Sequence, residues 1–156
     1  MKAMILKQLC DLNQDCSPLE LVEFSYPSCK EDEVVVEVAT CGVCRTELDE
    51  IEGRTPPSFF PMILGHEIVG RVVEKGSQVQ KLKIRDRVGI AWIHSSCGHC
   101  SFCLEGRENL CAEFKATGRD AHGGYAEYTV VKEDWSFPIP FGFSDEEAAP
   151  LFCAGA

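Results

Sequence analysis

Read from its first residue, the chain alternates short apolar runs with clusters of turn formers, and the runs are short and rich in β-branched residues. Residues 1 to 9 are mostly apolar, Leu19 to Tyr26 alternate between apolar and polar positions, and Glu33-Val34-Val35-Val36-Glu37-Val38 has the content of a buried or half-buried strand. Asp11 to Pro18 and Pro27 to Asp32 carry turn residues between them. The spacing predicts an all-β core. From Thr46 to Glu52 the pattern fits a short helix with Leu48 and Ile51 on one face and Gly53 stopping it, after which Pro56, Pro57 and Pro61 force an irregular path toward Gly65. Strand patterns return at Glu67 to Lys75, where Gly70 marks a bulge or a close backbone approach, at Ile84 to Ile93, and at Gly123 to Val131. Near the end, Ser144-Asp145-Glu146-Glu147 has the form of a capping box, with Ser144 as N-cap and Glu147 at N3. No internal repeat or low-complexity tract interrupts this order.

Composition narrows the class. With 156 residues, 45% hydrophobic and 26% charged, the chain has room for one ordinary domain with a core of its own, and disorder is disfavoured. No apolar run reaches the length of a membrane span, and Met1-Lys2-Ala3-Met4 leads into strand-like sequence instead of a signal peptide, so a cytoplasmic protein without a membrane partner is expected. A formal net charge of -10 with no basic cluster argues against nucleic acid as a partner.

Ten cysteines in such a chain point to metal or catalysis before disulfides. Cys97, Cys100, Cys103 and Cys111 fall as Cys-x2-Cys-x2-Cys-x7-Cys, a spacing that suits four thiolates closing a tetrahedral shell around one Zn²⁺. A disulfide framework and an iron–sulfur cluster also use clustered cysteines. The first is disfavoured by the tight spacing and the second by a further zinc-like site elsewhere in the chain. The lobe from about Ser95 to Ala116 has few core residues of its own and is expected to fold around its metal. Cys10, Cys16, Cys29 and Cys41 have no such pattern and read as spectator thiols.

The second set of candidates centres on Gly65-His66-Glu67. An imidazole beside a carboxylate suits a zinc site with exchangeable coordination, and Cys44 and Cys153 are the candidate partners. Two thiolates and one imidazole leave a fourth position open, which is the arrangement of catalytic sites.

Together these residues resemble the zinc-dependent alcohol dehydrogenases of the medium-chain dehydrogenase superfamily. The resemblance rests on Cys44-Arg45-Thr46, on Gly65-His66-Glu67-x2-Gly70-x5-Gly76-x2-Val79, on the four-cysteine lobe, on Glu108-Asn109-Leu110-Cys111, on the Gly123-Gly124-Tyr125 strand, and on Ala148 to Gly155. It implies a fold that is mainly β with short helices, a GroES-like partly open β-barrel spanning residues 1–150 with a zinc lobe at about 95–116. Residues 151–156 would then open an NAD(P)-binding Rossmann domain whose remainder is absent, because no Gly-x-Gly-x-x-Gly occurs. The resemblance implies one catalytic zinc held by Cys44, His66 and Cys153 with Glu67 in or near its shell, and one structural zinc in the lobe. It further implies Thr46 as the hydroxyl that takes the alcohol's proton, Asp49 at the end of the proton relay, Arg45 on the cofactor pyrophosphate, and Trp92 as a wall of the substrate pocket. Small alcohols and their aldehydes or ketones are the implied substrates, NAD or NADP the cofactor, and a homo-oligomer the full-length assembly.

Three positions depart from the pattern. Glu47 stands where Asp usually orients the histidine ligand, Asp49 stands where many members have a relay histidine, and Arg85 replaces the Gly usual before Asp86-Arg87-Val88. An isolated chain is expected to lack cofactor binding and turnover. A non-enzymatic zinc-stabilised interaction module, and a polyol or formaldehyde-adduct dehydrogenase of the same superfamily, are the alternative readings.

Overall fold

The computed structural model describes residues 1–14 and 17–154; Asp15 and Cys16 of the first expected turn, and Gly155 of the last motif with Ala156, lie outside the described residues. Among the described residues ten strands and three short α-helices follow one another: β1 (Lys2–Leu6), β2 (Leu19–Glu23), β3 (Glu33–Cys41), α1 (Arg45–Ile51), β4 (Met62–Ile63), β5 (Ile68–Lys75), β6 (Arg87–Ile90), β7 (Ile93–Ser95), α2 (Ser101–Leu104), β8 (Lys115–Ala116), β9 (Tyr128–Lys132), β10 (Ser136–Pro138) and α3 (Asp145–Ala148). The mainly β fold with short helices is as expected. Three antiparallel sheets run in the orders β2-β1-β4, β10-β6-β5-β3-β9 and β7-β8. The first two are joined by a bridge between Ala3 and Ala126 and by the Met4 N–H donating to the Tyr125 carbonyl, so the β layer curls into a half-barrel.

The main core lies on the inner face of the large sheet. Val34, Val36, Ile68, Val72, Val88, Ile90 and Val131 are buried there, one or two from each of β3, β5, β6 and β9, and each contributes about 1.5–3 kcal/mol relative to an exposed position. Gly70 combines the two features expected of it. A Cβ there would stand 2.2 Å from the Glu37 carbonyl oxygen, and the β3–β5 register shifts beside it, between Val38 and Thr40.

Several boundaries differ from the sequence pattern, each for a local reason. The run Ile84 to Ile93 is two strands, not one. Arg85 has φ +76°, the only positive φ outside glycine among the described residues, and its N–H donates to the Val72 carbonyl while the Val72 N–H donates to that of Asp86, so a tight turn precedes β6. The chain breaks again at Ala91-Trp92, where the Thr117 N–H and hydroxyl take the Trp92 and Ala91 carbonyls. Gly123 to Glu127 is irregular because its amides turn to the loop before His66: Gly123, Tyr125 and Gly124 donate to the carbonyls of Ile63, Leu64 and Gly65. β4 and β10 are too short, and too close to prolines, to show a period. In α1, Ile51 is buried and Gly53 (φ +80°) ends the helix as expected, but Leu48 is exposed; the buried face carries Glu47 and Glu50 instead. The Ser144–Glu147 capping box is formed, with both reciprocal bonds in place. α3 and the turn after it pack on the large sheet through Ala148 and Ala149 against Val69, and the Phe152 ring fills the space above Gly89. Among the described residues no helix is long and apolar enough to cross a membrane.

Candidate metal centres and the adjoining cleft

Cys44, His66, Glu67 and Cys153 each offer one donor atom, and these atoms all lie within 4.8 Å of one another. Three separate segments deliver them. Cys44 is the N-cap of α1, His66 and Glu67 sit in the turn that enters β5, and Cys153 follows the 3-10 turn packed on the large sheet. The His66 turn needs glycines. Gly65 has φ +94°, and a Cβ there would press on Cys41 Sγ and the Tyr125 ring at 2.8 Å or less. At Gly42 a Cβ would stand 2.0 Å from Glu67 Oε2, so the absent side chain is the room the carboxylate occupies.

Glu47 ties the helix to the histidine. Its Oε2 accepts the Cys44 N–H at 2.7 Å, while Oε1 lies 2.7 Å from His66 Nδ1, a charge contact in which the ring is not turned for a linear hydrogen bond. Both side chains are buried. Burial pulls the His66 pKa down, but the Glu47 carboxylate, Cys44 and Glu50 outweigh it and the pKa is raised. With Nδ1 facing Glu47, Nε2 is buried and has no hydrogen-bond partner among the described residues. The two thiols stand 3.7 Å apart, and Cys44 Sγ lies 3.6 Å from the Thr46 hydroxyl. Burial pushes Cys44 up, yet the Thr46 N–H and hydroxyl, the Cys153 thiol and His66 hold it below the usual thiol range; burial and the neighbouring Cys44 push Cys153 up to about 12. An orphaned imidazole nitrogen, a lowered thiol, a second thiol and a carboxylate form a donor set that fits a borderline-soft divalent cation such as zinc.

Beside this cluster Thr46, His66, Ala91, Trp92, Ile93, Phe152 and Cys153 line a cavity of about 420 Å³. Trp92 therefore stands on the same cleft as the two candidate ligands and Thr46. Asp49 lies apart on the exposed side of α1, where Arg54 first and Arg45 second lower its pKa. The Arg45 side chain is largely exposed.

In the lobe, the Sγ atoms of Cys97, Cys100, Cys103 and Cys111 also lie within 4.8 Å of one another, and all four are free thiols. Backbone amides converge on them: Cys100 N–H donates to Cys97 Sγ at 3.4 Å, and Cys97 and Glu113 N–H donate to Cys111 Sγ at 3.5 and 3.3 Å. These bonds favour thiolates. The Ser96 hydroxyl, 3.4 Å from Cys103 Sγ, is the main cause that brings Cys103 down to about 6. The convergence of the four sulfurs, with backbone amides aimed at Cys97 and Cys111, fits a closed zinc shell. Cys29 and Cys41 are free thiols, as spectators would be, and Cys10 is disulfide-bonded, unlike the expectation; Cys16 lies outside the described residues.

Two residues near the cleft are not singled out by the sequence pattern. Glu50 is fully buried, both its oxygens lack a hydrogen-bond partner among the described residues, and burial first and Glu47 second push its pKa up to about 7. Its spacing of three from Glu47 puts both on one helix face, which was the available clue. Arg119 lies over the Trp92 ring, in a loop whose sequence looks like any surface turn.

The chain is similar to known proteins in both sequence and fold. The family described as the alcohol dehydrogenase GroES-like domain matches residues 30–141. A probable alcohol dehydrogenase AdhA of Mycobacterium tuberculosis is 47% identical over 146 residues, covering 90% of this chain and 42% of the relative. An alcohol dehydrogenase of Geobacillus stearothermophilus is 44% identical over 156 residues, covering 99% and 44%. The solved thermostable alcohol dehydrogenase of Pyrobaculum aerophilum, with cobalt and zinc bound, superposes with a TM-score of 0.85 at 31% identity, covering 97% of this chain and 44% of that one. The chain thus spans less than half the length of the relatives it matches. A mainly β, curled half-barrel, matched over most of its length by that domain family and by alcohol dehydrogenases at more than 40% identity, belongs to the alcohol dehydrogenase family through its GroES-like domain.

Proposed function

We propose that this chain is the catalytic domain of a zinc-dependent alcohol dehydrogenase, which oxidises small alcohols with NAD or NADP as hydride acceptor and runs the reverse reaction on aldehydes or ketones. The observation that carries the reading is the convergence of Cys44, His66, Glu67 and Cys153 on one point at the head of the cavity that Thr46 and Trp92 line. Cys44, His66 and Cys153 hold the catalytic zinc, Glu67 stands next to it, and the four lobe cysteines hold a structural zinc. Bound in the first site, zinc supplies the Lewis acidity that lets an alcohol lose its proton near neutral pH.

The residues of the chain supply the rest. Thr46, whose hydroxyl lies beside Cys44, accepts the hydroxyl proton of the substrate and passes it outward. Asp49 ends that relay at the surface, kept ionised by Arg54 and Arg45. Trp92 and Phe152 form apolar walls that exclude water and seat the substrate's carbon chain. Glu47 fixes the orientation of His66, and Arg45, exposed at the start of α1, meets the cofactor pyrophosphate. In this reading residues 1–150 form the catalytic unit, 151–156 lead into an NAD(P)-binding Rossmann domain outside this chain, and the longer protein is a cytoplasmic homo-oligomer that binds neither nucleic acid nor membrane. The test is a panel of alcohols against the protein carrying its following domain, with NAD and with NADP, alongside zinc analysis. Turnover that disappears with the zinc of the Cys44 site supports the reading; absence of turnover with every alcohol and both cofactors refutes it.

A further inference from the structure

The wall that Trp92 presents to the cleft is not held by Trp92 itself. Its indole Nε1 is buried and has no hydrogen-bond partner among the described residues, and its backbone is fixed only at the carbonyl, by the Thr117 N–H at 2.8 Å. Packing against the ring must therefore set its orientation. Two groups supply that packing. The Phe114 ring lies 4.8 Å from the indole centroid at an interplanar angle of 47°, and the Arg119 guanidinium lies 5.8 Å from both ring centroids. A cation there is attracted to the indole face and excludes other rotamers by its bulk.

Arg119 is itself immobilised. Its Nε and Nη2 donate to Asp120 Oδ2 at 3.0 and 2.7 Å, and the same oxygen accepts the Ala116 N–H at 2.8 Å. The other oxygen accepts the Ser58 hydroxyl, and the Ser58 N–H donates to the Arg119 carbonyl at 2.9 Å. Both side chains of the pair are mostly buried, at 25% and 16% exposure, so the fork keeps its geometry. Gly118, with φ +83°, brings this loop against the backbone of Gly65, directly before the candidate ligand His66. The loop thus braces the proline-rich segment around Ser58, the His66 turn and the Trp92 wall at once.

We propose that Arg119, locked by Asp120, is a positioning residue that fixes the Trp92 indole and thereby sets how bulky an alcohol the cleft admits. The claim about substrates rests on the proposed function, whereas the claim about the indole does not. Without the guanidinium the ring gains other rotamers, small alcohols lose a fitted wall, and larger ones gain room.

Two readouts separate the claims. In this chain with Trp135→Phe, Trp92 is the sole tryptophan, and Arg119→Met is expected to raise acrylamide quenching of its fluorescence and to weaken its near-ultraviolet circular dichroism, with far-ultraviolet dichroism unchanged. In the protein carrying its following domain, the same substitution is expected to raise KM for ethanol with little change in kcat. The ratio of kcat/KM for benzyl alcohol over ethanol should rise about tenfold, the equivalent of about 1.4 kcal/mol of lost restraint. Arg119→Lys keeps the cation without the fork and should lie between; Asp120→Ala, which removes the acceptor but keeps Arg119, should behave like Arg119→Lys. If Arg119→Met does not fold, those two variants decide. Unchanged quenching and dichroism in any folded variant would overturn the proposal whatever the enzyme does. A mobile indole in a protein without alcohol turnover would uphold the brace while refuting the proposed function, and a mobile indole with an unchanged substrate ratio would overturn the role in specificity.

Discussion

Helix α1 turns two carboxylates inward, and Glu50 is the one without a partner. Its carboxyl group is fully buried, and burial and the Glu47 charge push its pKa from 4.5 up to about 7. Between those values the folded protein holds a proton that the unfolded chain has released. Stability therefore falls as pH rises through that window, and the penalty is complete above about 7. A shift of this size corresponds to about 3 kcal/mol, an upper figure because local relaxation and entering water reduce the cost of a buried charge. Glu50→Gln keeps the shape and removes the charge, so its advantage over the parent should be near zero at pH 4.5 and grow to about 3 kcal/mol at pH 8, roughly 6–12 °C in Tm for a chain of this size. Glu50→Leu should show the same pH dependence with a different offset. Urea unfolding across pH 4.5 to 8.5 measures this, with chelator and with zinc. A cation held by His66 would draw the Glu50 pKa down and move the window to lower pH in the loaded protein. Parallel stability curves for parent and Glu50→Gln, in both states, would refute the reasoning.

Other expected outcomes follow from single features. Cys100→Ser should release one zinc per chain and lower Tm together, since the lobe has little apolar content to hold it without metal; unchanged zinc content and Tm would remove the structural site. Arg85→Gly should raise stability by about 1 kcal/mol, the relief of a side chain held at φ +76° less the entropy a glycine adds to the unfolded chain, and chemical denaturation that shows a loss would mean the Arg85 side chain matters more than its backbone. In the protein with its following domain, Thr46→Val should lower kcat about 100-fold at unchanged zinc content, and loss of zinc in that variant would make the hydroxyl structural.

The strands that position the site were legible because each has a buried face of its own. β3 and β5 show it most clearly, with Val34, Val36, Ile68 and Val72 converging on one core, and Gly70 reads as a close approach because a glycine inside such a run has few other uses. What stayed hidden is set by partners distant in sequence. The strand pattern across Ile84 to Ile93 and that from Gly123 onward are real, but turns elsewhere claim their amides and carbonyls: Thr117 takes those of Ala91 and Trp92, and the loop before His66 takes the amides of Gly123, Gly124 and Tyr125. An apolar period cannot report such a claim. For the same reason Glu50 and Arg119 look like surface residues in the sequence, and only the elements packed over them make one a buried acid and the other a brace.

Glu47 shows how one departure from the family pattern joins local folding to the site. A carboxylate at this position is expected to orient His66, and the additional methylene of Glu over Asp reads, from sequence, as a disturbance of that role. In the structure it has a second use. Cys44 is the N-cap of α1 and Glu47 its third helical residue, the position from which a Glu side chain reaches back to the cap amide, and Oε2 makes that bond at 2.7 Å while Oε1 stays 2.7 Å from His66. One side chain thus fixes the backbone that carries the Cys44 thiol and faces the imidazole that meets it. The helix start and the two donors cannot move independently, so a substitution that weakens the cap should misplace His66, and a lost His66 contact should loosen the start of the helix.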